Sequence, residues 1–184
     1  RPLGESYLYL GDMGRFEKNQ GKARSLLNRV SEREYYMIQA FLAPTIPETI
    51  DFYNKLLALY PDDSDALGEL AAQYRNLEQW DLAAKQFEKV LTIDDSDELS
   101  YENLSLIYLA QGEYRKALHL LLPKADAFAS YFGFHDRLAM VYLYLGQYDL
   151  ALGEARRARV VDPTDYEPAE CEGRVLFIRS DGAA

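Results

Sequence analysis

The chain has 184 residues, and its 30 Asp and Glu against 20 Lys and Arg give a net charge of −10. This charge disfavours nucleic acids and anionic membranes as ligands, because both are bound through clustered Lys and Arg. No segment approaches the roughly 18 consecutive apolar residues that span a bilayer. The single cysteine, Cys171, excludes a disulfide framework and a cysteine-based metal site.

The first residue is Arg, and no secretory signal is visible. We therefore expect a processed chain or a piece of a longer one. Its expected location is the cytoplasm, with the bacterial envelope as the alternative.

The first two segments are the least regular part of the chain. Residues 1–29 predict an irregular helical hairpin. Apolar residues and glycines near the start match the pattern of a first helix, and a second helix follows after a distorted turn. Residues 30–63 predict a divergent repeat, since residues 32–42 are apolar at helical spacing. The apolar run 56–60 before Pro61 is typical of the end of a second helix.

The centre of the chain repeats itself at a fixed interval. Three units of equal length, 64–97, 98–131 and 132–165, carry large and small apolar residues in the same order. The matching positions are Leu70, Tyr74, Trp80, Ala83 and Phe87, then Leu104, Tyr108, Tyr114, Ala117 and Leu121, then Leu138, Tyr142, Tyr148, Ala151 and Ala155. Each unit predicts two amphipathic helices joined by a short turn, and a period of this size is typical of stacked helix hairpins. The small residues of the second helices predict a close approach of the two backbones.

Local features refine this pattern. Gly112 and Gly146 follow first helices, where a left-handed residue commonly ends a helix. Pro123 falls inside the expected second helix of the middle unit and removes an amide donor, so we predict that this helix stops or kinks near Leu122. Residues 166–184 predict a capping helix with a polar outer face, followed by a tail.

These positions resemble the tetratricopeptide repeat. The unit 132–165 matches the family pattern at Leu138, Ala139, Tyr142, Gly146, Tyr148, Ala151, Ala158 and Pro163. The resemblance implies that residues 1–184 form one all-α, right-handed superhelical solenoid of antiparallel helix hairpins. The chain looks like a bacterial-type tetratricopeptide protein, or like such a region of a larger signalling protein. This implies a protein-binding scaffold without enzymatic activity or a cofactor.

The resemblance also implies where a partner would bind, because the first helices of this family line a concave groove. The corresponding positions are Ile38, Phe41 and Leu42, then Ala72, Arg75 and Asn76, then Leu106, Leu109 and Ala110, then Met140, Leu143 and Tyr144, and finally Arg174, Phe177 and Ile178. Near the entrances of these helices stand the acids Glu34, Glu69, Glu102, Asp136 and Glu170.

An apolar groove edged with carboxylates suits an amphipathic, basic segment of a partner protein. Two other interpretations stay open. First-turn acids also complement the helix dipole, and the apolar residues can pack within the chain.

Candidate catalytic and metal-binding residues are few. Neither His119 nor His135 has the converging partners that a zinc site or a catalytic triad requires, and packing is the expected role of His135. The acidic runs 62–65, 94–98 and 162–165 lack the central glycine and distal glutamate of a calcium loop. They lie where helices begin, so we interpret them as capping turns and expect no metal site.

A protein-binding scaffold is therefore the principal functional hypothesis. Residues 30–43 resemble a linker helix of bacterial signalling proteins, which supports a regulatory segment of a larger kinase or transcription regulator as the alternative. A further alternative is a self-associating module, a homodimer in which the apolar groove or an end is buried.

Overall fold

A computed structural model describes Gly21, residues 30–163 and residues 167–181, and all regular secondary structure in these ranges is helical. The helices are α1 (Glu32–Leu42), α2 (Ile46–Leu59), α3 (Ser64–Asn76), α4 (Trp80–Ile93), α5 (Glu98–Ala110), α6 (Tyr114–Leu121), α7 (Phe132–Tyr144), α8 (Tyr148–Val161) and α9 (Glu167–Asp181), with a 3₁₀ turn at Leu122–Lys124. The hairpin predicted for residues 1–29 lies outside the described residues apart from Gly21. No helix in the described ranges has the length and apolar character needed to cross a membrane.

The helices keep the period of the sequence. The first helices α3, α5 and α7 begin at equal intervals, at Ser64, Glu98 and Phe132. The second helices α2, α4, α6 and α8 begin at the same interval, at Ile46, Trp80, Tyr114 and Tyr148. The divergent repeat therefore shares this register, and α1 has the bounds that its apolar spacing predicts. The predicted all-α class is confirmed for the described residues.

The chain divides into two compact units, residues 1–73 and residues 74–184. In the first unit, α1 packs against α2. A capping box fixes the start of α1, because Ser31 accepts a hydrogen bond from the amide of Glu34 while the Glu34 carboxylate accepts one from the amide of Ser31. The buried apolar side chains of these two helices are Ala40, Leu42, Tyr53 and Leu56.

One arginine connects α1 to the start of α3 within the first unit. Arg33 donates to both carboxylate oxygens of Asp63 and, at 2.7 Å, to Asp65. Hydrogen bonding to this guanidinium lowers the pKa of Asp63. Asp63 also accepts from the amide of Ala66 at 3.0 Å. This acidic run therefore caps α3, as the sequence predicts.

The core of the second unit lies among α5 to α9. Helix α7 packs most extensively against α8 and also contacts α5, α6 and α9. The buried cluster includes Tyr101, Ala117, Leu121, Phe128, Phe134, Leu138, Val141, Ala151, Ala155, Cys171 and Val175. The small positions Ala83, Ala117 and Ala151 are fully buried, which agrees with the close helix packing predicted for them.

The hairpin turns of the second unit share one backbone conformation. The amides of Gln79, Glu113 and Gln147 donate to the carbonyls of Tyr74, Tyr108 and Tyr142, at 2.8 to 2.9 Å. This six-to-one bond is typical of a Schellman motif, which places a left-handed residue just before the donor. Gly112 and Gly146 occupy that position with φ of 74° and 72°, as predicted, and Glu78 occupies it with φ of 56°.

The predicted break at Pro123 is confirmed. Helix α6 ends at Leu121, the 3₁₀ turn Leu122–Lys124 follows, and residues 125–130 form turns. Helix α7 then begins at Phe132, so the irregular segment does not change the register of the repeats.

Candidate partner-binding face

Most of the predicted groove residues of the second unit lie on two first helices, α5 and α7, which pack against each other. We call these residues the α5–α7 face: Glu102, Leu106, Leu109, Asp136, Met140, Leu143 and Tyr144. Leu106, Leu109 and Met140 are half-buried, and Tyr144 is 46% exposed. Leu109 and Met140 also pack against the buried cluster. Their positions are therefore fixed while part of each side chain remains accessible.

Two residues of this face are not accessible. Leu143 belongs to the buried cluster, and Asp136 is only 2% exposed. Asp136 lies 3.3 Å from Nη2 of the neighbouring Arg137. The expectation that Leu143 and Asp136 line an open groove is therefore wrong. The reason is that α7 lies at the centre of the second unit, where α5, α6, α8 and α9 all pack against it.

Glu102 is enclosed by groups from the start of α7. Tyr131 Oη donates to Glu102 Oε2 at 2.6 Å, and Arg137 Nε lies 3.8 Å from Glu102 Oε1. A Cβ added at Gly133 would lie 2.7 Å from Glu102 Oε2. Burial of the Tyr131 hydroxyl and its hydrogen bond to Glu102 raise the pKa of Tyr131. The Glu102 carboxylate thus joins α5 to α7 and is not a free acid at the rim of a groove.

Tyr131, Gly133 and Arg137 were not predicted to belong to this site. They fall outside the positions that match between repeats, so the period did not point to them. Gly133 carried one signal, because glycine in the first turn of a helix is unfavourable and indicates a close approach. Nothing in the pattern identified Glu102 as the group that approaches it.

Polar contacts fix both ends of the accessible region. At the end of α3, Arg75 donates to the side-chain carbonyl of Asn103 on α5. At the end of α7, the ring of Tyr144 stacks on Tyr114, with centroids 5.0 Å apart and planes 8° apart. Arg174 Nη1 of α9 lies 3.5 Å from Tyr144 Oη. Tyr144 is therefore held in place although nearly half of it faces solvent.

The candidate residues of the first unit have similar mixed exposure. Ile38 and Phe41 of α1 are half-buried, and Leu42 is buried. Glu34 accepts hydrogen bonds from the amide and the hydroxyl of Ser31, which lower its pKa. This first-turn acid therefore serves its own helix.

His135 has a structural role in the second unit. It is buried, with Nδ1 2.8 Å from Glu154 Oε2 and Nε2 2.9 Å from the carbonyl oxygen of Ala129. The ring thereby connects α7 to α8 and to the turns after Pro123. These contacts agree with the packing role predicted for it.

His119 lies on the surface of α6. It lines a shallow cleft of ≈ 490 Å³ together with Tyr108, Arg115, Lys116 and Leu120. Within the part of the chain that the structure describes, no group of three or more His, Cys, Asp or Glu side chains converges as metal ligands would.

Sequence relatives point to the repeat family. Residues 52–85 match the family profile of the tetratricopeptide repeat. The chain is 26% identical over 141 residues to BBS4, a member of the BBSome complex, from Bos taurus. That alignment covers 77% of this chain but 27% of BBS4, so the chain spans well under half of the curated relative.

Solved structures share the fold. MamA from Desulfovibrio magneticus RS-1 superposes with a TM-score of 0.69 at 16% identity, over 88% of this chain and 86% of MamA. YrrB, described as a tetratricopeptide protein with an unusual peptide-binding site, superposes with a TM-score of 0.67 at 18% identity, over 85% of this chain and 82% of YrrB. At these identities the structural likeness shows the fold alone. The predicted resemblance to tetratricopeptide repeats is confirmed: the chain has the tetratricopeptide-like fold, and residues 52–85 match the profile of that repeat.

Proposed function

We propose that this chain is a protein-interaction module that holds an amphipathic, basic segment of a partner protein against the α5–α7 face. The observation that carries the proposal is the set of partly exposed apolar side chains on two packed first helices, namely Leu106, Leu109, Met140 and Tyr144. The tetratricopeptide fold is generally a non-enzymatic interaction module. YrrB, which shares this fold, is described as having a peptide-binding site.

The apolar side chains would supply most of the affinity. Fully covering a leucine or methionine contributes about 1.5–3 kcal/mol, and each contributes less here because it is already half-buried. Several anchors must therefore act together. A helix with apolar residues at positions i, i+3, i+4 and i+7 presents such anchors on one side.

The proposed preference for a basic partner rests on the net charge of the whole chain and not on Glu102 and Asp136. Glu102 and Asp136 both lie beside Arg137, which offsets much of their local field. The net charge of −10 remains and attracts a basic segment over long range. We therefore expect salt to slow association more than it speeds dissociation.

The experiment is a peptide-display selection against the full chain, using a library of amphipathic helical peptides with randomised polar faces. We expect enrichment of peptides rich in Lys and Arg that bind the parent chain. Their affinity should fall at least tenfold for Leu109→Asp, because a carboxylate would then be buried against an apolar partner. Tyr144→Ala removes an exposed contact and should weaken the same peptides without disturbing the core.

Leu150→Asp is the matched control, because Leu150 is an exposed leucine on α8 and lies outside the α5–α7 face. It should bind the selected peptides like the parent chain. Circular dichroism of each variant establishes that the fold is retained. Selected peptides that bind Leu109→Asp and Tyr144→Ala as tightly as the parent chain would show that partners use another surface.

A further inference from the structure

Helix α9 repeats the register of α7, but one of its faces is largely exposed. Gly173, Leu176 and Phe177 stand one repeat period after Ala139, Tyr142 and Leu143. The three α7 residues are buried, with at most 8% of any of them exposed. Leu176 and Phe177 are 63% and 66% exposed. We call Gly173, Leu176 and Phe177 the α9 outer face.

The position of α9 is fixed by its opposite side. Cys171 and Val175 are fully buried in the cluster shared with α7 and α8. Arg159 of α8 also donates to Glu172 at 2.8 Å. Leu176 and Phe177 point away from this anchored side, so the outward side of α9 carries apolar residues as well as the polar ones predicted for a capping helix.

The earlier hairpins show what covers such a face. Helix α5 packs against α6, and α7 packs against α8. The second helix of each pair contributes a fully buried alanine, Ala117 or Ala151, so the backbones can approach closely. Helix α9 keeps the small residue needed for this approach. A Cβ added at Gly173 would meet no heavy atom within 4 Å, so the space beside it is open.

We propose that the α9 outer face binds an amphipathic helix of a partner protein that has the second-helix pattern. This pattern is an aromatic residue, an alanine three positions later and a small or apolar residue four positions after that, as in Tyr148, Ala151 and Ala155. The alanine packs over Gly173, and the apolar residues cover Leu176 and Phe177. The interface continues the hairpin packing of α5 with α6 and of α7 with α8. Its residues lie on α9, whereas those of the α5–α7 face lie on α5 and α7.

The test uses a fluorescein-labelled synthetic peptide with the sequence of α8, residues 148–161, titrated with the full chain and followed by anisotropy. We expect saturable binding that weakens at least tenfold for Leu176→Asp and for Phe177→Ser. A peptide in which the alanine matching Ala151 is replaced by aspartate should bind at least tenfold more weakly. Both protein variants change exposed side chains, and circular dichroism establishes that they are folded.

Two controls separate this face from other surfaces. Leu150→Asp changes a similarly exposed leucine of α8 and should leave binding unchanged. Leu109→Asp should also leave it unchanged. Loss of peptide binding in Leu109→Asp but not in Leu176→Asp would assign the peptide to the α5–α7 face and overturn this proposal alone, so the two proposals fail in distinguishable ways.

Absence of saturable binding at millimolar concentration would overturn the proposal, and so would full binding by Leu176→Asp. Sedimentation equilibrium provides the remaining outcome. If the parent chain dimerises and Leu176→Asp is a monomer, the face is an interface between two copies and the partner-helix proposal is overturned.

Discussion

The repeats 98–131 and 132–165 have first helices of equal length, 13 residues each, but second halves of different form. In the later repeat, α8 is a continuous helix of 14 residues. In the earlier one, α6 has 8 residues, and the chain continues through the 3₁₀ turn and the turns of residues 125–130. The irregular path still reaches α7 in register, one full repeat period after the start of α5.

The irregular segment supplies a core residue that the regular helix does not. Phe128 lies between Tyr101 of α5 and Phe134 of α7, edge to face, with ring centroids 5.3 and 5.2 Å apart. The matching position of the later repeat is Asp162, just after α8. A proline that ends a helix thus leaves no gap here, because the chain after it turns inward and fills the space with an aromatic ring. From repeat to repeat, the first helix therefore varies less in position than the second half of the repeat varies in structure.

The largest expected loss of stability comes from removing the aromatic ring that packs between α5 and α7. Phe128→Ala should lower the free energy of unfolding by about 3–5 kcal/mol, since it removes a buried ring and leaves a cavity between α5 and α7. Urea denaturation followed by circular dichroism measures it. Leu122→Ala in the same segment is the control, because Leu122 is largely exposed and should change stability by about 0.5 kcal/mol or less. Equal effects of the two substitutions would mean that the segment is not part of the core.

A larger side chain at the buried alanine of each second helix tests whether the two repeats differ in rigidity. Ala151→Leu should cost about 1–3 kcal/mol, because Ala151 is fully buried in α8 where it packs against α7. Ala117→Leu should cost less, because α6 is short and its end after Leu121 can shift. Thermal and urea midpoints of both variants give the order. The reverse order would show that the irregular repeat is the more rigid one.

Gly153→Ala is the control for a substitution on α8 that does not overpack. A Cβ there would meet nothing within 4 Å. The variant should be more stable by up to about 1 kcal/mol, since alanine favours a helix interior over glycine.

The starts of the first helices differ in the same two repeats. Asp97 caps α5, because its carboxylate accepts from the amide of Leu99 at 3.2 Å and from Ser100 Oγ at 2.7 Å. Tyr131 precedes α7 without a side-chain capping bond and instead binds Glu102. Asp97→Ala should therefore cost about 1 kcal/mol in urea denaturation. Asp97→Asn retains the capping oxygen and should cost clearly less; an equal loss would assign the effect to charge and not to capping.

The smallest expected effect concerns the hairpin turns. Glu78 has the left-handed conformation that Gly112 and Gly146 adopt in the later turns. Glu78→Gly should stabilise the chain by about 0.5–1 kcal/mol, because relief of the left-handed strain exceeds the entropy that glycine loses on folding. Gly146→Ala is the mirror experiment and should destabilise by about 1 kcal/mol. A loss of stability in Glu78→Gly would mean that the Glu78 side chain makes a contact worth more than the strain.

The sequence by itself determined the period, the bounds of α1 and the break at Pro123. Each of these depends on residues close in the chain. Pro123 lacks an amide donor wherever it stands, and glycine tolerates positive φ at 112 and 146 regardless of its neighbours. Amphipathic spacing alone was enough to place α1 at Glu32–Leu42 in a divergent repeat. The fold class followed from the same local rules, because hairpins with a common period can bury their apolar sides only by packing on one another.

Only the tertiary structure decided which candidate site residues are accessible. Glu102 and Asp136 hold the same position in successive repeats, yet Asp136 is almost fully buried while Glu102 keeps partial exposure beside Tyr131 and Arg137. Leu143 and Phe177 also share a position, and one is buried while the other is largely exposed. The physical reason is that exposure depends on which elements pack against a helix. Helix α7 is surrounded by four others in the second unit, whereas among the described residues α9 packs against α7 and α8 on the side opposite Leu176 and Phe177. The common period repeats the side chains of a helix but does not specify what lies across from them.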